Sequence, residues 1–522
     1  MELLALAEGQ ARRLFFVAAA SAAFGLACSS CTKEKKTPQP VVVDEPPESG
    51  PTEAAAEPKG PAPTIPGRPA ITDETTTEAV KTNLLLDLAV PSHLIDVSTH
   101  LGVVELSGYV DNLLAKQRAV ELARATRSVR SVVDRIQVRP IKRADADIRR
   151  DVEAALKLDP VAEAYEVQVS VDTGVVTLSG EVQSWQEKML AEDLAKSIKG
   201  VREIRNELKI DYELPRKDSE ILEDVSQRLE SDVFVEEATI TVNVENGEVE
   251  LAGVTGSAAE KQRAIRDSWV PGTKDVDAKG LKVKLAAARE IRRKRPPKSF
   301  TERQTKQALE DAFLMDPRIV SERIDIRIQG GVAILSGRVP DLRAKQAATE
   351  TGLNTVGIYH VRNLLDVRPP TATSDEKLSE RVKAALERDP YIKADEMTVT
   401  ALNGEIFLNG EVKDTFQRKH AESVAARVSG VMEIENNLMT TTMPDRKQDW
   451  WLKREVEAQL LWDPFVSSRT VSVEVDRGVV TLKGTVRTWL QRRMAERDAW
   501  RAGAREVRNE LKTGQGPVEL RP

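Results

Sequence analysis

Apolar and polar residues alternate through Val167-Gln-Val-Ser-Val171 and again through Val175-Val-Thr-Leu178, with Gly174 between the two stretches. A period of two puts one set of side chains on one face, so this pattern predicts a β-hairpin. The arrangement returns along the chain. Turn glycines stand at Gly102, Gly174, Gly247, Gly331, Gly404 and Gly478, and six residues after each comes a second glycine that ends the apolar strand: Gly108, Gly180, Gly253, Gly337, Gly410 and Gly484. The second series is spaced by 72, 73, 84, 73 and 74 residues and serves as a structural frame for six copies of one unit. Asn246-Gly247 and Asn403-Gly404 suit a tight turn that needs positive φ.

Before each hairpin the apolar spacing becomes helical, as in Leu452, Val456 and Leu460, behind an acidic residue in the capping position: Asp73, Asp145, Asp218, Glu302, Asp375 or Asp449. A carboxylate there accepts from free helix amides and suits the positive helix end. Pro160, Pro317, Pro390 and Pro464 close this helix in four copies. After the hairpin a second helix is predicted, capped by Asn112, Ser184, Ser257, Asp341, Asp414 or Thr488. Seven residues on stand Ala119, Ala191, Ala264, Ala348, Ala421 and Ala495, and four further on Ala123, Ala195, Ser268, Gly352, Ala425 and Ala499. Positions i and i+4 share a helix face, so that face is flat and lies close on the sheet. A closing strand follows, as in Ile204-Arg-Asn-Glu-Leu208 and Val507-Arg-Asn-Glu-Leu511.

The unit is therefore α-β-β-α-β and the fold class α+β. Six modules occupy 72–139, 144–212, 217–285, 300–368, 374–441 and 448–513, with a tail at 514–522. The third is the most degenerate, with Lys279 where others have Asn206, Asn363, Asn436 and Asn509. A basic linker at 286–299, with Arg289, Arg292, Arg293, Lys294, Arg295 and Lys298, accounts for the spacing of 84. A solvated charge run explains that cluster as simply as anion contact does.

Aromatic residues make up only 4% of the chain, so the cores must be aliphatic. The net charge of −6 gives no global attraction to nucleic acid. At the N-terminus, Arg12-Arg13 followed by an apolar run from Leu14 to Ala27 predicts a signal segment over 1–27, too short to span a bilayer comfortably. The arginine pair weakly resembles a twin-arginine export signal. Gly25-Leu26-Ala27-Cys28 resembles a lipobox, which makes Cys28 the expected lipidation site, although Gly25 departs from the preferred leucine. Residues 28–71 are rich in Pro, Glu, Ala and Thr and are expected to form a disordered tether. Cys28 and Cys31 are the only cysteines and neither falls in a module, so no module contains a disulfide or a cysteine-rich metal site.

The element order, the length of about 70 residues, the Leu-Ser-Gly-x-Val signature from Leu178 to Val182 and the Val-Arg-Asn ending resemble the BON family of bacterial envelope proteins. The resemblance implies a three-stranded mixed sheet with two helices on one face. It also implies an association with phospholipid or other envelope components. Family lipoproteins usually carry two copies, so six is a departure.

Catalytic chemistry finds little material. The four histidines, His93, His100, His360 and His420, hold unrelated frame positions. There is no metal-ligand spacing, nucleophile elbow or phosphate loop, so no enzyme activity, cofactor, metal or small-molecule substrate is expected. One cation recurs in every copy: Lys116, Lys188, Lys261, Lys345, Arg418 and Arg492. Its plainer reading is a stem over apolar surface with its head paired to a carboxylate four residues on, such as Glu192, Glu422 or Glu496.

Five of the seven tryptophans lie in module six. Trp489 shares its position with Leu113, Trp185 and Leu342, which reads as core. Trp450 and Trp451 stand where siblings are mainly polar and should be exposed, whereas Trp462 is ambiguous. With Lys453, Arg454, Arg493 and Arg497, these three tryptophans make the candidate lipid or partner face, since exposed indoles and cations suit an anionic interface.

The expectation is a non-catalytic envelope protein, exported and anchored through an N-terminal lipid, in the periplasm and at the outer membrane. Its modules would bind anionic phospholipid and support envelope integrity or osmotic tolerance. The alternative is a scaffold whose modules contact proteins, and a third reading is a ring-forming export component.

Overall fold

The computed structural model describes residues 70–159, 166–212, 215–236, 239–294, 300–319, 323–442 and 447–513. The signal segment, the tether, Cys28, Cys31, Pro160, Arg295, Lys298 and the tail lie outside them, as do the side chains of Arg289, Arg292, Arg293 and Lys294.

All six modules share one plan. In module one the first helix (Asp73–Leu85) precedes an antiparallel hairpin, Ile95–His100 with Val103–Val110. A second helix (Leu113–Arg124) then crosses to a closing strand, Ser131–Val138, parallel to the central one. The mixed three-stranded sheet thus has the hairpin's second strand in its middle, and in modules two, four and six the closing strand is split in two. Each core is aliphatic apart from Phe313 in module four. In module one, Val80, Leu84, Val104, Leu106, Ala119 and Ala123 are almost wholly buried between helices and sheet. The repeated alanines have 0% exposure in every copy, as a flat helix face against a sheet requires. Every second-helix cap bonds as expected, Ser184 Oγ accepting from Glu187 N at 3.1 Å for example.

Four local expectations are corrected. The frame glycine does not end its strand but lies inside it, opposite the start of the hairpin's first strand, as Gly108 faces Ile95. Its φ is +105°, and a Cβ there would stand 2.2 Å from the Leu94 carbonyl oxygen; the other five frame glycines meet a carbonyl within 2.0–2.3 Å. The acidic residue at the helix start is the first helical residue rather than the cap. Its carboxylate reaches across to the hairpin turn, where Asp449 accepts from Arg477 N at 2.7 Å and Gly478 N at 2.9 Å. Both turn residues have positive φ (49° and 80° in module six), so their amides point the same way and suit one bidentate acceptor.

The recurring cation does not pair with the carboxylate four residues on. Lys188 Nζ donates to the Leu208 carbonyl at 2.7 Å, and Arg492 donates to the carbonyls of Asn509 and Leu511, so the cation closes free carbonyls of the last strand. Glu192, Glu422 and Glu496 instead accept from Asn206, Asn436 and Asn509. These asparagines also bond the second helix and an amide two residues ahead. In module three the closing strand bulges between Asp277 and Gly280, and Asp277, not Lys279, makes the equivalent bond to the amide two residues on. The basic linker, finally, is helical over Leu285–Lys294.

The modules are not strung out separately. Except in module five, where Thr415 is exposed, the first residue of each second helix docks on another module: Leu113 packs on the core of module two. Trp185 stacks on Trp269 of module three (5.6 Å, 9°), and Ala258 lies in the core of module one, which closes a ring of three. In the second trio, Leu342 packs on the core of module five and Trp489 stacks on Tyr359 of module four (4.5 Å, 24°). Trp489 is therefore half-buried at a joint rather than in its own core.

The two trios meet in reversed order, one with six, two with five and three with four. In each joint a residue two or three beyond one module's second helix donates its amide to the carbonyl at the end of the partner's first helix. Arg127 N reaches Trp462 O at 2.7 Å, Lys199 N reaches Arg388 O at 2.8 Å, Ser429 N reaches Leu158 O at 3.2 Å and Val356 N reaches Ser231 O at 2.9 Å. Only the joint of two with five is reciprocal, because module three has Pro271, without an amide proton, at the donor position. In module six, Ala502 N bonds its own helix. A second set of contacts joins five to one (Tyr391 Oη to Ala89 O, 3.1 Å), three to six (Phe234 on Phe465, 5.3 Å) and four to two (Arg343 with Asp159).

Candidate functional site

The candidate face begins at the first helix of module six (Asp449–Trp462). Leu452, Val456 and Leu460 bury one stripe, which turns Trp450 and Trp451 outward, 57% and 47% exposed. The two rings meet edge to face at 5.7 Å. Lys453 and Arg454 are exposed on the same turn. Lys447 donates to the Ala502 carbonyl at 2.7 Å, which brings the helix start beside the end of the second helix, where Trp500 is 48% exposed. Three indoles and two exposed cations thus gather at one end of the module. Trp500 holds the position of Trp269, but the facing position in module five is the exposed Thr415 rather than a tryptophan.

The remaining candidates lie elsewhere. Trp462 is half-buried, and its carbonyl takes the Arg127 amide in the joint with module one. Arg493 donates to Leu353 O at 2.6 Å and to Asn354 in module four, and Arg497 pairs with Asp463 at 2.8 Å. Trp462 and Arg493 hold modules together, and Arg497 ties the two helices of module six, so the exposed face reduces to Trp450, Trp451, Lys453 and Arg454 with Trp500 added.

The joints carry chemistry that the sequence reading passed over. An aspartate ends the first helix in every copy: Asp87, Asp159, Asp232, Asp316, Asp389 and Asp463. Its side chain organises the following turn, as Asp463 Oδ1 accepts from Phe465 N at 2.7 Å, and it holds a cation or a histidine, as in Asp232 with Arg263 and Asp389 with His420. The signal was legible one residue before the repeated proline. Arg127, only 4% exposed, sends its guanidinium to the carbonyls of Asp463 and Val466 at 2.5 and 2.6 Å. A charge buried to this degree needs such partners.

A cleft of about 450 Å³ opens between modules, lined by Trp185, Lys196, Arg228, Arg263, Asp267 and Arg343 among others. Its charges are largely paired: Arg263 with Asp232 at 2.5 Å, Arg318 with Asp316 at 2.8 Å. Among the described residues no group of three or more His, Cys, Asp or Glu is placed to hold a metal ion. No helix among them is long and apolar enough to cross a membrane.

Osmotically-inducible protein Y of Escherichia coli is 33% identical over 144 residues, 26% of this chain and 72% of that protein. Outer membrane lipoprotein DolP of Haemophilus influenzae is 31% identical over 131 residues, 24% of this chain and 67% of that protein. The 21 kDa hemolysin of Actinobacillus pleuropneumoniae is 31% identical over 142 residues, 26% of this chain and 70% of that protein. The BON domain model matches six times, at 72–140, 144–212, 217–284, 301–369, 374–442 and 448–515, and the chain is thus a member of the BON domain family.

Proposed function

We propose that this chain is a non-catalytic protein of the cell envelope that contacts anionic phospholipid through the exposed end of module six. The carrying observation is the adjacent pair Trp450 and Trp451, held in solvent beside Lys453 and Arg454. Indoles favour the headgroup region of a bilayer, and each nearby cation adds roughly 1 kcal/mol of attraction to an anionic surface. Relatives named for the outer membrane and for osmotic induction support an envelope setting. Lipidation at Cys28, export to the periplasm and anchorage at the outer membrane complete this reading, together with a role in envelope integrity under osmotic stress. In sedimentation with vesicles, the protein is expected to bind phosphatidylglycerol-containing membranes, to release at high salt and to ignore neutral ones. Trp450→Ala with Trp451→Ala should abolish binding, and unchanged sedimentation of that double variant refutes the face.

The module joints favour a second reading, a scaffold that binds envelope proteins, because module surfaces here already recognise one another. Crosslinking in cells that captures lipid but no protein counts against it.

A further inference from the structure

Fourteen residues after the frame glycine, one side chain of each second helix faces the joint between the trios. In the joint of two with five these are Leu194 and Val424, which line a small cavity of about 40 Å³. Modules one and four have Leu122 and Thr351 there, whereas modules three and six carry Asp267 and Asp498. These two carboxyl groups are 3% and 1% exposed, and Oδ2 of each has no hydrogen-bond partner among the described residues. Each stands beside the aspartate that ends its own module's first helix, Asp267 beside Asp232 and Asp498 beside Asp463.

The surroundings are specific. Around Asp267 stand Arg228 at 3.7 Å and Arg263 at 3.8 Å, with Arg266 near; Arg263 gives its hydrogen bond to Asp232. From module four, Glu350 acts on Arg263, and Thr351 donates to Asp316 instead. Around Asp498 stand Arg497 at 3.6 Å, which hydrogen-bonds Asp463, and Arg501; Arg118 and Asp87 of module one act on Arg501. The neighbouring aspartates shape the backbone that receives the partner trio: Ser231 O and Val233 N face module four, and the carbonyls of Trp462, Asp463 and Val466 hold Arg127.

We propose that Asp267 and Asp498 are proton-operated latches: protonated, they close the joints of three with four and of one with six, and ionised, they loosen them. The joint of two with five, apolar at this position, has no latch. Ionisation would place a second buried carboxylate beside the first, a cost that burial in low dielectric enlarges. The same two causes, burial first and the adjacent aspartate second, raise Asp267 from 3.8 to about 7 and hold Asp498 well above the usual carboxylate range. The closed joint therefore binds a proton that the open one releases. This stabilisation is full below about pH 3.8, declines as pH rises and is gone above about 7 for Asp267.

Amide hydrogen exchange of the full chain, corrected for the intrinsic pH dependence, reads each joint separately. The opening constant at Val356 should rise by up to about tenfold per pH unit between pH 5 and 7 and then level, that at Arg127 should rise with pH in the same sense, and those at Lys199 and Ser429 should stay flat. Asp267→Asn should flatten Val356 alone, and Asp498→Asn should flatten Arg127 alone. If either variant fails to fold, Leu194→Asp tests the converse, since it should give the joint of two with five the same pH dependence. A common profile at all four amides, asparagine variants that keep the wild-type profile, or a Leu194→Asp joint that stays flat each overturn the proposal.

Discussion

At the scale of single residues, most of what repeats in this chain answers to backbone hydrogen bonding. The helix-start acid grips both amides of the hairpin turn in five modules, whereas Glu302, one methylene longer, reaches only Gly330 N at 2.9 Å. Such charge-assisted bonds contribute roughly 1.5–3 kcal/mol. Asp449→Ala should therefore lower the unfolding free energy of module six by about 2 kcal/mol and accelerate amide exchange at Arg477 and Gly478. Glu302→Asp should have the opposite effect in module four by restoring the second bond, and exchange at Gly331 that does not slow would show the bidentate geometry to be incidental. The residue type and position were plain in the sequence. The partner was not, because a turn 28 residues away is brought in by the fold, and a helix start already offers a sufficient reason for an acid.

At the scale of elements, the order α-β-β-α-β, the hairpin turns and the alanine face were all legible, because each rests on a local period or on turn chemistry that six copies repeat. The joints were not legible for a related reason. Copies within one chain share their docking surfaces as faithfully as they share cores, so an apolar residue common to Leu113, Trp185, Leu342 and Trp489 reads as core until neighbouring modules are seen. Likewise Arg493 and Trp462 read as a binding face because a basic and aromatic surface is written the same way whether its partner is a membrane or another module. The docking position makes a direct prediction. Trp185 and Trp269, 5.6 Å apart, should couple electronically and add to the bisignate circular dichroism that Trp450 and Trp451 give at 5.7 Å. Trp185→Ala should remove that contribution and weaken the joint by roughly 0.5–1.5 kcal/mol beyond the area lost. A spectrum that the substitution leaves unchanged would place the two indoles apart in solution.

At the scale of the whole array, repetition has a consequence that tandem order alone does not suggest. A docking patch and its complement on every module generate a closed ring when the rotation permits and an open filament when it does not. Here three modules close, the longer linker with its helix Leu285–Lys294 starts a second trio, and the trios meet in reversed order through one recurring backbone bond. Closure covers patches that would otherwise invite other copies, and it leaves module six, where Thr415 does not cover Trp500, with the largest share of exposed indole. Array and candidate face are therefore one problem: the joint of five with six is the one that leaves a tryptophan at the docking position uncovered. Small-angle scattering tests the arrangement directly. A protein beginning at Ala70 and ending at Thr513, packed as one body, should have a radius of gyration of about 22 Å, against roughly 40 Å for the same six modules in an extended row. Arg127→Ala, which removes the guanidinium from the joint of one with six but leaves the backbone bond, should raise the value slightly through fraying of that joint while the joint of two with five holds the trios together. A radius near the extended figure for the unaltered protein would mean that the modules act as independent beads, and the reversed pairing would have to be abandoned with it.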